Sequence, residues 1–291
     1  NKAFGTFFRR VKQGLDKPGY PKYKSRKTFR SVSYVYNDGI RLKNGRLYVQ
    51  NVGEIRIFKH RPLPVGATVK QAVIMRDKGW DWYVVFQVDA PADTPNSVPG
   101  PAVGLDMGLE SFVALSTGEW VDNPRWRRES GAKLAVLQRR RSRCKKGSKQ
   151  YKALSRQIAK LHASVARQRL DFQHKLAARL AQEFAVIAVE DLNILGLSRS
   201  MVSKGVGDAA WGQFLRLLQE KVEERGGFFV KVDARHTSQT CPECDSIVEK
   251  PLSERQHHCP HCGYTAPRDV AAARVILNRG LNKIGPDRVA A

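Results

Sequence analysis

The stretch VGLDMGLESFVALSTGE, residues 103–119, and the stretch FAVIAVE, residues 184–190, decide the fold of this chain. The first begins a predicted three-stranded meander with a Thr117-Gly118 turn, whose strands are Val103–Asp106, Phe112–Leu115 and Glu119–Val121. The second is nearly all apolar, which is typical of a strand buried on both faces of a sheet. Each stretch carries an acid where a predicted strand ends, Asp106 in the first and Glu190 in the second. We therefore expect an α/β domain with acidic residues at strand ends.

The segments between and after these strands show helical periodicity. An apolar stripe from Leu154 to Leu180 repeats at helical spacing, with arginines and lysines on the other face. A further buried strand is predicted at 228–233, and Gly226 is expected to end the helix before it. The predicted helices cover residues 132–143, residues 150–183, a segment that starts near Asp208, and residues 269–279. This order of elements describes an RNase H-like α/β domain.

A β-rich region precedes this domain. Short alternating runs are separated by turn signals such as Asn37-Asp38-Gly39 and Asn44-Gly45, which predicts a small antiparallel β domain. Four prolines fall within residues 91–101 and predict a linker. The predicted strands are Val32–Tyr36, Ile40–Leu42, Leu47–Val49, Glu54–Phe58, Lys70–Met75 and Trp80–Asp89.

The net charge of +24 is concentrated in two segments. Residues 1–30 hold ten Lys/Arg against one acid, and residues 125–183 hold eighteen against three acids, so these segments account for the whole excess. Such concentration is typical of a polyanion-binding surface, and aromatic side chains among the basic residues could stack on bases. A solvated helix face is the alternative interpretation. The candidate phosphate contacts are Arg139, Arg140, Arg141, Lys145 and Lys146.

Four of the five cysteines form one spaced set. The knuckles Cys241-Pro-Glu-Cys244 and Cys259-Pro-His-Cys262 are fourteen residues apart, which can place four thiolates around one zinc ion. Four sulfur ligands close the coordination shell, so we expect a structural zinc rather than a catalytic one. Unmetallated thiols are one alternative, and the histidines at 257, 258 and 261 are possible substitute ligands.

The cysteine pattern and the apolar runs of the sequence indicate the cellular compartment. A metal-type cysteine pattern indicates a reducing cytoplasm rather than a disulfide framework. No apolar run approaches the ~20 residues that a membrane helix needs, and the first residues do not resemble a signal peptide. We expect a soluble, cytoplasmic, nucleoid-associated protein. Because the sequence begins at Asn1 without methionine, we interpret it as part of a longer protein.

Three acids stand where an RNase H-like fold collects its carboxylates. Asp106 ends the first strand, Glu190 ends the apolar strand, and Asp269 opens the last helix. Such positions converge at one edge of the sheet, where carboxylates can hold two Mg²⁺ ions about 3.5–4 Å apart. Each acid also has a structural interpretation, as a turn residue, a strand-end acid or a helix cap. Their joint placement in a basic protein favours the catalytic interpretation.

Several segments resemble the RuvC and zinc-ribbon motifs of the TnpB family of proteins encoded by insertion sequences. They are VGLDMGLESFVALSTGE (103–119), VIAVEDLNILGL (186–197), HTSQTCPEC (236–244) and HCPHCGYTAPRDVAAARVIL (258–277). Residues 20–89, with YPKYK at 20–24 and WYVVF at 82–86, are similar to the wedge domain of that family. The resemblance follows the family's order over nearly the whole chain.

This resemblance implies an α/β RNase H-like (RuvC) nuclease domain with an inserted four-cysteine zinc ribbon, preceded by a small antiparallel wedge-like β domain. It implies a Mg²⁺-dependent endonuclease that carries a guide RNA from the element's end and cuts double-stranded DNA. Asp106, Glu190 and Asp269 carry over as Mg²⁺ ligands, and Cys241, Cys244, Cys259 and Cys262 as zinc ligands. The implied domains are a lead-in and partial wedge at 1–90, a linker at 91–101, RuvC at 102–235 with a basic helical insertion at 125–183, the ribbon at 236–264, the last RuvC motif and helix at 265–280, and a tail at 281–291.

The chain departs from the family pattern at two positions near these motifs. Asp245 stands where the family usually has glycine, and Ala271 stands where it usually has asparagine. One alternative is a compact type V CRISPR effector, which would share every motif. The others are a nuclease-inactive RNA-guided regulator, in which the acids decay, and a plain zinc-ribbon DNA-binding protein labelled as a transposase, which would not require acids at strand ends. We expect the guided nuclease, because all three acids are present.

Overall fold

The computed structural model describes residues 2–22, 25, 29–91, 100–197, 203–251 and 253–285. The chain divides into two compact units, Asn1–Pro91 and Ala92–Ala291. Most of the linker predicted at 91–101 lies outside the described residues, as do the last two residues of the YPKYK motif. Within the described ranges, no helix is long and apolar enough to cross a membrane.

The first unit combines a helix with two small antiparallel sheets. Its elements are α1 Lys2–Lys12, β1 Ser31–Val35, β2 Ile40–Lys43, β3 Arg46–Val49, β4 Gly53–Arg56, β5 Thr68–Arg76 and β6 Trp82–Asp89. One sheet has the order β1-β5-β6 and the other the order β2-β3-β4. The six strands predicted from alternating apolar residues are all present, with bounds that shift by one or two residues at most ends.

The core of this unit follows from the strand period of two. Val32, Ile74 and Val84 are cross-strand neighbours on one face of the first sheet. Ile74 and Val84 pack with Ile40 and Leu47 of the second sheet, which are fully buried. Since successive side chains of a strand point to opposite faces, only one face of the first sheet is covered by this core.

Helix α1 has no counterpart among the predicted elements, because the sequence analysis assigned none to residues 1–30. Phe4 and Phe7 each pack edge-on against Tyr20, with ring centroids 5.7 and 5.3 Å apart. The helix contains Gly5 and has no acid in its first turn, so its local signal is weak. Aromatic packing of Phe4 and Phe7 against Tyr20 therefore stabilises a helix that its own sequence favours only weakly.

The second unit is built on a five-stranded sheet. Its strands are β7 Ala102–Met107, β8 Ser111–Leu115, β9 Trp120–Asp122, β10 Val186–Glu190 and β11 Phe228–Val232. Their order is β11-β10-β7-β8-β9. The strands β7, β10 and β11 are parallel, whereas β8 is antiparallel to both of its neighbours. The meander predicted from residues 103–119 therefore forms one half of the sheet, and the two apolar strands form the other half.

Helices cover both faces of this sheet. They are α2 Trp126–Ser142, α3 Lys149–Glu183, α4 Ile194–Leu197, α5 Ser203–Ala209, α6 Trp211–Glu224 and α7 Arg268–Ile284. Val103, Leu105 and Ile187 point into the larger core, which includes residues of α3 and α6. The alternate residues Ala188 and Val232 contact Ile276 of α7.

Gly104 shows how closely α7 approaches the sheet. A Cβ at this position would lie 2.0 Å from the carbonyl oxygen of Ala273 and 2.7 Å from the backbone nitrogen of Leu277. Only a residue without a side chain fits there. The residue two positions along the strand, Asp106, consequently lies on the α7 face of the sheet.

The predicted helix bounds differ from the structure in three places. Helix α2 begins at Trp126, six residues before the predicted start at 132, because buried Trp126 packs edge-on against Phe172. The helix predicted near 208 is two helices, α5 and α6, separated at Ala210 with φ of 51°. Helix α7 continues to Ile284, so the tail predicted from residue 281 begins later.

Candidate active site and metal centre

Asp106 and Glu190 lie on neighbouring parallel strands, β7 and β10. Both strands run in the same direction, with Val189 opposite Leu105, so their carboxyl ends meet at the same edge. Residues 104 and 106 alternate away from the larger core, and residues 188 and 190 do the same. Both acids therefore lie on the face that carries α7.

Asp269 reaches this edge from the first turn of α7. Burial raises the pKa of Asp106 well above its usual value, and the negative charges of Glu190 and Asp269 raise it further. The guanidinium of Arg268 acts in the opposite direction. Glu190 and Asp269 are thus close enough to Asp106 to affect its ionisation, although the three residues are far apart along the chain.

Glu190 is 8% exposed, and burial raises the pKa of its carboxyl. A hydrogen bond from the Thr237 hydroxyl to Oε1, together with the positive charge of Arg279, lowers that pKa in part. Thr237 is 4% exposed, and its hydroxyl also lies 3.2 Å from the carbonyl oxygen of Ala234. A hydrogen bond from a buried hydroxyl to a carboxylate holds the carboxylate in one orientation.

Thr237 is a residue that sequence reasoning missed. It lies in the HTSQTCPEC motif, which was quoted only for its cysteines. Arg279 was missed as well; its guanidinium donates to the carbonyl oxygens of Asp233 and Arg235, both at 2.8 Å. Neither role is predictable from the sequence, because both depend on the segment after β11 folding back beside β10.

The donor set of the three acids fits a hard divalent cation, because carboxylate oxygens are the ligands that Mg²⁺ prefers. The like-charge repulsion that raises the pKa of Asp106 is what a bound cation would relieve. In the described ranges, however, the only group of three or more candidate ligands whose atoms all lie within 4.8 Å of one another is a set of cysteines. The carboxylate oxygens are more widely spaced than that.

The four predicted cysteines, Cys241, Cys244, Cys259 and Cys262, make up that close group. The Sγ atoms of Cys241 and Cys262 are 3.6 Å apart, as are those of Cys244 and Cys259. A tetrahedral zinc with Zn–S bonds of about 2.3 Å would separate its sulfurs by about 3.8 Å, so the residues present fit this ion. The alternative histidine ligands are not part of the group.

The two knuckles share one backbone pattern. The N–H of Cys241 donates to the carbonyl of Ser246, and that of Cys259 donates to the carbonyl of Tyr264, at 2.9 and 2.8 Å. Hydrogen bonds from Ser246 lower the pKa of the exposed Cys244 thiol to about 6, which favours its thiolate form. Burial raises the pKa of the Cys241 thiol, so zinc binding at that ligand would release a proton.

Helix α7 ties the cysteine segment to the sheet. The Asn278 amide donates to the carbonyl of Pro242 at 2.8 Å, and Arg274 donates to the Tyr264 hydroxyl at 3.2 Å. The buried Arg268 donates to the carbonyl of Pro251 at 2.9 Å. One helix therefore carries Asp269 and also holds both knuckles. Two short strands complete this segment: β12 Gln256–His258 and β13 Thr265–Pro267.

The candidate phosphate contacts lie at the far end of α2 and in the turn that follows it. Arg139, Arg140, Lys145 and Lys146 are exposed. Arg141 is half-buried, and its guanidinium lies 5.8 Å from the centroid of the Tyr151 ring. Four of the five predicted contacts are therefore accessible, and one is partly engaged with an aromatic ring.

A cavity of about 280 Å³ adjoins Glu190. Its polar walls come from Arg216, Gln219 and Lys231, and Lys231 lies 3.8 Å from Asp191. Of the three acids, Glu190 alone lines this cavity, whose other walls include residues of α6.

Two family models match this chain. The model described as "Probable transposase" (OrfB_IS605) matches residues 85–201, and the model described as "Cas12f1-like, TNB domain" matches residues 211–276. The first match covers Asp106 and Glu190, and the second covers the four cysteines and Asp269.

Two curated relatives match nearly the whole chain, and a third matches about half of it. A protein of Streptomyces pristinaespiralis named as an RNA-guided DNA endonuclease is 36% identical over 283 residues, which cover 96% of this chain and 68% of the relative. InsQ of Escherichia coli K12, named in the same way, is 30% identical over 96% of this chain and 71% of its own length. A TnpB-like protein of Acanthamoeba polyphaga mimivirus is 28% identical over 46% of this chain and 27% of its own length.

A solved structure shares the fold. The chain in the cryo-EM structure of the Cas12f1-sgRNA-target DNA complex matches with a TM-score of 0.53 at 17% identity, over 75% of this chain and 46% of that chain.

Proposed function

The chain belongs to the TnpB family, and from that membership we propose that it forms the nuclease part of an RNA-guided, Mg²⁺-dependent DNA endonuclease of a mobile element. The observation that carries the nuclease proposal is the position of Asp106, Glu190 and Asp269. Two of these acids lie on one face of adjacent parallel strands, and the third opens the helix that packs on this face. Burial, and then the charges of Glu190 and Asp269, raise the pKa of Asp106, as expected where carboxylates share a site.

The sheet topology supports a RuvC-type assignment for the second unit. In the order β9-β8-β7-β10-β11, β8 is antiparallel and the two strands after the helical insertion are parallel to β7. This arrangement places the ends of the first and fourth strands side by side, where the element order of an RNase H-like fold predicts its acids. We assign the first unit to a wedge-like domain on the basis of its two antiparallel sheets and the sequence resemblance.

We assign Asp106, Glu190 and Asp269 as the Mg²⁺ ligands. When bound, Mg²⁺ supplies activation of the attacking water and stabilisation of the leaving oxygen in phosphodiester hydrolysis. The protein's own contribution is orientation, since Thr237 holds the Glu190 carboxylate. Arg268 is buried beside the acids and offsets part of their mutual repulsion.

We assign zinc to the four cysteines as a structural ion. The closed sulfur shell leaves no ligand position for water, so this ion stabilises the fold of the ribbon rather than reacting. Because α7 contacts both knuckles and carries Asp269, the folded ribbon supports the position of that acid.

We further propose guide RNA and double-stranded DNA as the partners. Base pairing between guide and target would read the sequence, so the protein needs a basic surface for the phosphate backbones rather than a base-reading code. The exposed residues Arg139, Arg140, Lys145 and Lys146 lie in the helical insertion between Asp106 and Glu190 and provide such a surface. A compact type V effector is the second candidate, favoured by the Cas12f1-like match at residues 211–276. An adjacent CRISPR array, instead of transposon ends, would identify that alternative.

The test is cleavage of a plasmid target by the protein co-expressed with RNA from its own locus. We expect cutting that requires Mg²⁺ and a matching guide, and that is lost in Asp106→Ala. Asp122→Ala, which removes an exposed acid of β9, is the matched control and should cut normally. Tight RNA binding without cutting by the unaltered protein would reject the nuclease and leave a guided binding protein.

A further inference from the structure

The hairpin between β5 and β6 ends in an unusual turn. The strands stay paired up to Arg76 and Trp82, and residues 77–81 connect them. The N–H of Asp77 donates to the carbonyl of Asp81, and the Asp77 side chain accepts from the N–H of Asp81, both at 2.9 Å. These two hydrogen bonds close the turn.

Trp80 occupies this turn with φ of 75°. The left-handed region is unfavourable for a bulky side chain, and glycine is the residue that adopts it readily. Gly79 is next to Trp80, yet it is not among the glycines with positive φ. An indole placed at such a position at an energetic cost is a reason to look for a function of the side chain.

The indoles of Trp80 and Trp82 share a cation. The guanidinium carbon of Arg76 lies 4.2 Å from the Trp80 ring centroid and 5.6 Å from the Trp82 ring centroid. Both rings remain accessible, since Trp80 is 41% exposed and Trp82 is 65% exposed. The cation–π contacts keep two large aromatic surfaces oriented at the surface of the first unit.

We propose that the hairpin end Arg76–Trp82 is a stacking site for an unpaired base of RNA, an inference that deepens the function proposed above. The hairpin end carries two basic residues, Arg76 and Lys78, and two acids, Asp77 and Asp81, so its own charges balance. A neutral site with exposed indoles is suited to the face of a base rather than to a phosphate.

Unpaired RNA is the occupant that the chemistry favours. The bases of a DNA duplex are stacked inside the helix, whereas the loops and ends of a folded RNA present bases that can lie on aromatic side chains. A guide RNA supplies such bases before any target is opened. A displaced DNA strand presents similar bases only after the duplex has been opened.

The test measures the affinity of the protein for labelled single-stranded oligoadenylate RNA and for the DNA oligonucleotide of the same sequence and length. Binding is measured without magnesium so that it is separated from cleavage. Trp82→Ala should weaken binding about tenfold, the size that loss of base stacking produces. Trp82→Phe should retain most of the affinity because it keeps an aromatic face. Trp120→Ala is the matched control, since Trp120 is 42% exposed on β9 of the other unit.

Salt dependence separates stacking from charge. The tenfold loss in Trp82→Ala should be the same at low and high salt, because a stacking contact releases no counterions. Thermal melting of each variant shows whether the first unit stays folded, and the Phe variant keeps the test valid if the Ala variant does not.

Three outcomes would overturn the proposal: unchanged affinity in a folded Trp82→Ala protein, an equal loss in Trp120→Ala, or a loss confined to single-stranded DNA. None of them bears on the proposed nuclease, because that is tested by guided cleavage and the Asp106→Ala variant. Conversely, if the protein shows no cleavage and Trp82→Ala still weakens RNA binding, the nuclease proposal is rejected and the stacking site is retained.

Discussion

At the scale of single residues, Asp106 carries the strongest sign of function. Its pKa is raised by burial and by the charges of Glu190 and Asp269, so the ionised form is unfavourable in the folded, metal-free protein. Strongly shifted pKa values of this kind are found mainly at catalytic and binding sites. The raised pKa therefore has a consequence for stability as well as for catalysis.

Asp106→Asn should stabilise the protein in the absence of divalent cations while abolishing cleavage. The pKa of Asp106 is higher in the folded protein than in the unfolded chain. The stability that this group contributes is therefore fully present below the unfolded pKa of about 3.9 and is lost as the pH rises through the folded pKa. The variant should consequently melt at least about 3 °C higher than the unaltered protein at neutral pH, and the difference should vanish in acid. Scanning calorimetry with chelated Mg²⁺ measures this, and Asp122→Asn serves as the control. Equal melting temperatures at neutral pH would contradict the electrostatic account.

Thr237 should act as a positioning residue for Glu190. Thr237→Val keeps the shape of the side chain but removes the hydroxyl donor, and a hydrogen bond to a charged group is worth enough to slow cleavage by about tenfold or more. Because this bond lowers the pKa of Glu190, its loss should also move the acid limb of the pH–rate profile to higher pH. Thr237→Ser should restore both the rate and the profile. A slower Val variant with an unshifted profile would indicate a purely structural role.

Asp245 lies in a backbone conformation that glycine adopts more readily than aspartate. It adopts φ of 56° directly after Cys244, and Gly263 adopts φ of 74° at the equivalent place after Cys262. Aspartate tolerates the left-handed region at a cost that glycine does not have. Asp245→Gly should therefore raise the stability of the ribbon by about 1 kcal/mol, seen as slower zinc release to a chelator. Gly263→Asp should have the opposite effect; a faster release from Asp245→Gly would show that the carboxylate itself matters.

At the scale of elements, the helical hairpin of α2 and α3 was predicted in outline. The stripe from Leu154 to Leu180 is buried as expected at several of its positions. The early start of α2 was not predictable, because Arg125 before it has a left-handed backbone and makes no side-chain cap. Trp126 is the residue that favours the early start, and its role is evident only from its packing against Phe172 in the folded protein.

The exposed cations of this hairpin should control the salt dependence of RNA binding. Among the described residues, Arg140 and Lys146 form no ion pair, whereas Lys175 pairs with Asp171 at 2.7 Å. Arg140→Gln and Lys146→Gln should each reduce the slope of log K against log salt by about 0.7–0.9 if they contact a phosphate. Lys175→Gln is the control and should leave the slope unchanged. Identical slopes in all three variants would indicate that Arg140 and Lys146 are solvated and contact no phosphate.

The break between α5 and α6 illustrates a second limit of local patterns. The apolar residues Trp211, Leu215 and Leu218 fit one helix, but Ala210 takes a left-handed conformation. The buried Gln173 of α3 donates to the carbonyls of Ala209 and Ala210 at this break, at 2.8 and 3.3 Å. A contact from a residue some forty positions earlier stabilises the interruption, and no local window contains it.

At the scale of the whole second unit, α7 joins the four-cysteine segment to the sheet. It packs on β7, β10 and β11, and it holds the segment through Arg268, Arg274 and Asn278. The segment in turn holds Glu190 through Thr237. Zinc binding and the geometry of the acids should therefore be linked.

Removing zinc should unfold the ribbon and stop cleavage without unfolding the first unit. Ligation of a structural zinc supplies folding free energy, so a chelator should expose residues 236–264 to protease while residues 29–91 stay protected. Cys262→Ser should behave like the chelated protein, whereas Cys144→Ser, which changes the cysteine outside the cluster, should keep one zinc per chain. Limited proteolysis with mass spectrometry and a zinc assay measure these effects. A chelated protein that keeps its ribbon protected would refute the link.

The sequence by itself determined the strands, most helices, the cysteine knuckles and the three acids as candidates. These features depend on local order: alternation, apolar runs, turn residues and fixed spacing. The match to the TnpB family agrees with the sequence resemblance of the motifs at 103–119, 186–197, 236–244 and 258–277. Tertiary structure decided which residues share a site. The burial and repulsion that raise the pKa of Asp106, the contact of Thr237 with Glu190, and the approach of α7 over Gly104 all join distant segments. Such contacts depend on how elements pack, and packing is a property of the folded chain that no single segment carries.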